Sequence, residues 1–159
     1  MVLIQLTRQK DLPFTFSVSS KLCLKSNDLV ISKSIEQTGT WEEDQVTNVM
    51  KAMEIYGDAV FIGRRYLAWH GDYHLYVTMC LDGGCNIGVF TVMVAAMRRR
   101  VVAVDILQEN IDFVKTSLSL MDDLGLVEFV LNAISDQHET LYPVLEVEGN
   151  GGSSKGRCH

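Results

Sequence analysis

The sequence predicts an α/β fold with a parallel central sheet flanked by helices, and three observations carry that prediction. An apolar run, Leu75 to Leu81, ends in Asp82 and passes into a glycine loop, Gly83-Gly84-Cys85-Asn86-Ile87-Gly88. A helix-like apolar run follows from Val89 to Met97. A basic turn, Arg98 to Arg100, then leads into a second apolar run, Val101 to Val104, that ends in Asp105. Strand, glycine turn, helix and strand, with an acid closing each strand, form the opening of a sheet that binds a nucleoside-containing ligand at its carboxyl ends.

The glycine spacing narrows the ligand. A dinucleotide fold calls for G-x-G-x-x-G directly after the strand, so that backbone N–H groups hold a pyrophosphate. Here the pattern is D-x-G-x-N-x-G, on Asp82, Gly84, Asn86 and Gly88. A carboxylate at the mouth of the loop repels a pyrophosphate and suits a cofactor with cationic groups, such as the sulfonium and amino groups of S-adenosylmethionine. Asp105 stands where a ribose diol needs an acceptor, and charged acceptors make the stronger hydrogen bonds. The expectation is that the two acids flank one ligand. There is no G-x-x-x-x-G-K-[ST], which excludes a P-loop on sequence. The bland alternative is a glycine turn that binds nothing.

Taken from the start, Phe14, Phe16 and Val18 alternate, as do Leu22 and Leu24, which reads as a short hairpin over Ser19-Ser20. Leu29 to Gln37 reads as a helix capped by Asn27 or Asp28 and stopped by Gly39. Thr40-Trp41-Glu42-Glu43 has the form of a capping box. The helix it opens carries Val46, Val49, Met50 and Met53 on one face and is closed by Gly57. Asp58 to Ile62 is itself strand-like, so either Leu75–Leu81 or Asp58–Ile62 leads into the loop; the former is favoured, because only a strand directly before Asp82 places the loop over the sheet edge. His70, Asp72 and His74 lie between them without an obvious third ligand, and Gly71 argues against a metal-binding helix face. No metal is expected.

The run after the loop packs on the sheet through Phe90, Val94 and Met97, and Arg98–Arg100 complements the helix dipole. Val101–Val104 reads as a buried strand. Leu107, Ile111, Val114 and Leu118 form the core stripe of the next helix. Gly125 allows a turn, Val127–Leu131 is a third strand, and Asn132-Ala133 ends it. Asp136 and His138 follow; nothing nearby orients His138 as a base. Glu139 to Val147 looks like one more strand, and Gly149 to Gly156 is flexible by composition.

The phrase DGGCNIGVFTV with VVAVD downstream resembles the class I S-adenosylmethionine-dependent methyltransferases, and within them the FkbM family. ISKSIEQTGTWE at Ile31 to Glu43, LQENIDFVKTSL at Leu107 to Leu118 and VEFVLNAISD at Val127 to Asp136 add to the likeness. Most of residues 29–62 and 82–147 take part. The resemblance implies a Rossmann-like fold, S-adenosylmethionine as cofactor and O-methyl transfer to a hydroxyl of a small molecule or glycan. It also implies site residues. Asp82, Gly84, Cys85, Asn86 and Gly88 hold the methionine part, Asp105 the ribose, and Asn132 with Ala133 the adenine. Asn suits that edge because it both donates and accepts. The TGTWE turn lies beside the cofactor in the family, so Glu43 either touches it or simply caps a helix. Residues 63–81 stand as an insertion, residues 1–28 as an N-terminal extension, residues 29–148 as a partial methyltransferase domain and residues 149–159 as a tail. The family's K-x-D-x-E-G segment does not occur, so the resemblance implies a domain incomplete on its C-terminal side, with no catalytic residue to name.

Composition sets outer bounds. At 159 residues the chain is one domain at most. Its net charge of −6 argues against a nucleic-acid partner held through phosphates. The four cysteines fit neither a zinc ribbon nor a disulfide scaffold; Cys80 and Cys85 read as buried thiols. No apolar run is long enough to span a membrane, and a soluble, cytoplasmic protein is the default; oligomeric state and compartment are not encoded in any visible signal. Two rival functions stay open: a non-catalytic cofactor-binding or interaction domain, and an NAD-dependent oxidoreductase, against which the missing G-x-G and Asp82 both count.

Overall fold

The computed structural model describes residues 2–6, 18–55, 79–134, 144–147 and 150–156. Its centre is a three-stranded parallel sheet of β3 (Met79–Gly83), β4 (Arg100–Asp105) and β5 (Val127–Leu131), in that spatial order. Cys80, Val101 and Val127 stand side by side in register, as do Asp82, Ala103 and Phe129. Helices α3 (Val89–Ala96) and α4 (Gln108–Ser119) make the two crossovers. Two crossovers that step the same way along a sheet put both helices on one face, and α3 and α4 do pack on each other. The expected strand–loop–helix–strand–helix–strand order is therefore present, as an α/β unit. β3 takes in residues 79–81 of the favoured Leu75–Leu81 run and continues through Asp82 and Gly83; residues 75–78 lie outside the described residues.

α3 is more deeply placed than a one-faced packing helix. Val89, Thr91, Val92, Met93, Val94 and Ala95 are all buried. One side joins a cluster with Leu22, Ile35, Val46, Met50, Val114 and Leu118; the other meets Val49, Met53, Cys80 and Val101. A helix apolar all round requires cover all round, and α2 (Glu43–Ile55), α4, the sheet and an N-terminal strand supply it. Each fully buried Val or Met side chain there contributes roughly 1.5–3 kcal/mol.

That N-terminal strand corrects the expected hairpin. β2 (Val18–Leu22) pairs antiparallel with β1 (Val2–Leu6), so Ser19 and Ser20 lie within a strand opposite Gln5 and Ile4. Ser20 is only 1% exposed and its hydroxyl donates to Met93 Sδ at 2.8 Å. A serine pair signals a turn only when solvent or local backbone takes the hydroxyl; here the core takes it. Phe14 and Phe16 lie outside the described residues.

Asp28 caps α1 (Ile31–Thr38) as expected, accepting from the N–H groups of Val30, Ile31 and Ser32 at 3.1, 3.2 and 2.8 Å. Gly39, left-handed at φ 81°, closes the helix. The capping box does not form. Glu42, at φ 48°, supplies the carbonyl that accepts from Gln45 and Val46, so α2 begins one residue beyond it at Glu43. Arg98, in the turn after α3, ion-pairs at 2.7 Å with Asp123, in the turn after α4, a specific partner beyond the general pull of a helix dipole.

At the other end β6 (Val144–Val147) falls inside the predicted Glu139–Val147 run, but it pairs antiparallel with β7 (Asn150–Gly156). Asn150 to Gly156 is thus strand, where composition suggested a flexible tail. Val147 stands opposite Asn150 in this pair. Among the described residues no helix is long and apolar enough to cross a membrane, and no group of three or more potential metal ligands occurs. Asp58–Ile62, His70, Asp72, His74, Asp136 and His138 lie outside the described residues.

Candidate nucleoside-binding site

The loop after β3 is built by the strand beside it. The N–H groups of Gly84 and Cys85 both donate to Val104 O, at 2.8 and 3.0 Å. Gly88, at φ 88°, then turns the chain into α3. A Cβ at this position would meet Val114 Cγ2 at 2.7 Å, so both backbone conformation and the approach of α4 demand glycine. At Gly83 a Cβ would meet Ile134 Cδ1 at 2.6 Å, which lets Ile134 fold over the strand end.

Each acid organises backbone. Asp82 Oδ2 accepts from the Thr91 N–H at 3.1 Å and from the Thr91 hydroxyl at 2.6 Å, which satisfies the one polar side chain in α3. Asp105 Oδ2 accepts from the Asn86 N–H at 2.8 Å, while its Oδ1 accepts from the Leu107 N–H and from Asn110 Nδ2, both at 2.9 Å. Asp105 thereby joins the glycine loop to the start of α4. Both carboxylates are 5% exposed.

A cavity of about 340 Å³ opens at the carboxyl ends of β3 and β4, where ligands sit in open α/β sheets. Gly84, Asn86, Asp105, Asn110 and Asn132 bring its polar groups, and Ile106 and Ile134 its apolar ones. Ala133 also lines it. Among the described residues the lining holds no Lys or Arg to give a phosphate its counter-charge.

Asp82 does not line this cavity. It lies on the far side of the loop, in a crevice of only about 20 Å³ shared with Trp41, Glu42, Cys85 and Phe90. Gly84 and Asn86 border both spaces, so the two acids flank the loop from opposite sides instead of meeting across one opening. That separates them relative to the sequence expectation. The reason is local: Thr91 draws the Asp82 carboxylate toward the helix, and Asn86 N–H draws Asp105 toward the loop.

Several buried polar atoms among the described residues lack a partner: both side-chain atoms of Asn86, Asn110 Oδ1 and Glu42 Oε2. Unsatisfied buried groups cost about 1–3 kcal/mol each, and here all of them cluster around the loop. Glu43, the acid expected to touch the ligand, is exposed and lines neither space. Glu42 is the acid that faces the loop. One pattern points to it: Glu42 lies one helical turn before Val46 and extends the stripe of Val46, Val49, Met50 and Met53.

Asn132 and Ala133 reach the cavity, but Asn132 Oδ1 accepts the Ala133 N–H at 2.8 Å. That N–H is turned inward, and the Asn132 amide NH₂ is the donor left for a ligand. Cys85 stays a thiol: burial pushes its pKa far up, and the charges of Asp82 and Asp105 push it further. It packs in the core and does not act as a nucleophile.

Fold and site together define an α/β unit with a cavity of about 340 Å³ at the carboxyl end of a parallel sheet. No protein-family model, curated protein or solved structure matches the chain.

Proposed function

We propose that this chain is an S-adenosylmethionine-binding domain of the class I, FkbM-like methyltransferase type, serving O-methylation of a small molecule or glycan. The observation that carries the reading is the set of buried, unpartnered atoms around a glycine loop whose neighbouring cavity holds, among the described residues, a carboxylate and no cation. A nucleoside with a free diol and a cationic substituent meets those needs; a dinucleotide pyrophosphate does not.

The fit runs residue by residue. Asp105 Oδ2 has one protein donor and retains a lone pair for a ribose hydroxyl. Asn132 faces the base, and Ile106 and Ile134 give it apolar walls. Glu42 Oε2, buried beside Trp41 and Phe90, offers charge to the ammonium or sulfonium end. The crevice there is about the size of one water, so the amino-acid end enters only when the Trp41–Glu42 turn moves outward. When bound, S-adenosylmethionine supplies a methyl group on a positively charged sulfur. The chain's own residues bind, orient and exclude water.

Cofactor binding without turnover is the second reading. It is favoured by the cavity lining, in which, among the described residues, Asp105 is the one acidic or basic side chain and is engaged by three donors as a structural and ligand-holding group. Calorimetry with S-adenosylmethionine, and with NAD as comparator, tests the proposal. Saturable binding of the first, weakened in Asp105→Asn, supports it. No heat at millimolar ligand, or tighter binding of NAD, overturns it. Binding with no methyl transfer to hydroxyl acceptors selects the second reading.

A further inference from the structure

The Asn110 side chain is 2% exposed, lines the cavity, and has one half of its amide in use. Its Nδ2 donates to Asp105 Oδ1. The opposite amide orientation would set carbonyl oxygen against carboxylate oxygen, so the chemistry fixes which end faces the acid. The free end is therefore Oδ1, an acceptor, and it has no partner. Asp105 Oδ2, the other oxygen of the carboxylate that Asn110 Nδ2 contacts, also has accepting capacity left. Two acceptors on side chains that are hydrogen-bonded to each other in one cavity wall call for two donors close together. A vicinal diol has that form; a deoxyribose or a 2′-phosphorylated ribose does not.

Resting on the nucleoside reading above, we infer that Asn110 is a specificity-determining residue that takes one hydroxyl of the ribose diol on Oδ1 while Asp105 Oδ2 takes the other. It makes the site select ribonucleosides over deoxyribonucleosides. Its second contact, to Asp105, adds to those of the Asn86 and Leu107 N–H groups, which hold the carboxylate in place without it.

The test is calorimetric titration of adenosine, 2′-deoxyadenosine and 3′-deoxyadenosine into the wild type and into Asn110→Ala. The wild type is expected to bind adenosine about tenfold more tightly than either deoxy form, the worth of one good hydrogen bond. In Asn110→Ala the preference against one deoxy form should vanish and the other should persist. Equal binding of all three by the wild type overturns the inference, as do two undiminished preferences in the variant, and in both cases the nucleoside reading stands. If the wild type does not bind adenosine at all, that reading falls and takes this one with it. Asn110→Ser, which keeps a donor for Asp105 and removes the carbonyl, gives the same comparison should the alanine variant not fold.

Discussion

Replacing Asp105 by Asn separates what this carboxylate does for the fold from what it does for a ligand. Three donors converge on it: the N–H groups of Asn86 and Leu107 and the Asn110 amide. Hydrogen bonds to a charged acceptor contribute about 1.5–3 kcal/mol each. Removing all three with Asp105→Ala puts about 4–9 kcal/mol at risk before water re-enters, against a total stability of about 5–15 kcal/mol. That variant would fail to bind for the uninformative reason that it fails to fold. Asp105→Asn is milder. Its oxygen keeps Leu107 and Asn110, and its NH₂ faces the Asn86 N–H, so one buried donor is left opposed. The expected cost is about 2 kcal/mol, which at this chain length lowers Tm by roughly 4–8 °C. Urea denaturation followed by circular dichroism measures it. A variant within about 0.5 kcal/mol of the wild type would show that the carboxylate does not hold the loop, and the architecture drawn above would be wrong at its centre.

Other outcomes follow from the same structure. Gly88→Ala, forced to φ 88° with its Cβ against Val114, should cost about 2–4 kcal/mol, and adding Val114→Ala should recover part of that in a double-mutant cycle on denaturation midpoints. Burial by itself raises the Asp28 pKa, but the Ser32, Val30 and Ile31 N–H groups and the Ser32 hydroxyl together hold it below the ordinary aspartate value. Its contribution is therefore complete above that ordinary value and is lost as pH falls through the lowered one. Asp28→Asn should be less stable than the wild type near neutrality, and the gap should close in acid. Under native conditions iodoacetamide should modify Cys23 well before Cys80 or Cys85, since Cys23 is half-exposed and the other two are buried, with Cys85 held protonated; peptide mass mapping reads the order. Adenosine should leave Trp41 fluorescence unchanged while S-adenosylmethionine shifts it, with Trp41→Phe as the control, because only the longer ligand displaces the turn beside the 20 Å³ crevice.

The stretch from Asp82 to Leu131 was legible in sequence because each element there has a strong local cause. Glycines mark the loop, β-branched residues the central strand, and a 3.6-residue stripe the following helix. What escaped was set by distant contacts. Ser20 looks like a turn residue until Met93 arrives to accept its hydroxyl. Thr40 to Glu43 spells a capping box, yet Glu42 takes a left-handed conformation and starts α2 itself. Asn150 to Gly156 is compositionally loose and is strand through its pairing with Val144–Val147. In the site, spacing alone placed both acids at strand ends but did not show that Thr91 and Asn86 turn them to opposite sides of the loop.

The cover over α3 carries a kinetic consequence. Ser20 reaches Met93 across 73 positions, Cys23 N–H reaches Ser117 across 94, and Lys21 N–H reaches the Met121 sulfur across 100. Contacts that far apart in the chain form late, since loop closure must come first. Until β2 docks, the most apolar of the described helices stands bare on one side. Refolding should then show a slow phase whose amplitude tracks docking of the N-terminal strand, and a chaperone that shields greasy surfaces should bind during that interval and let go after it.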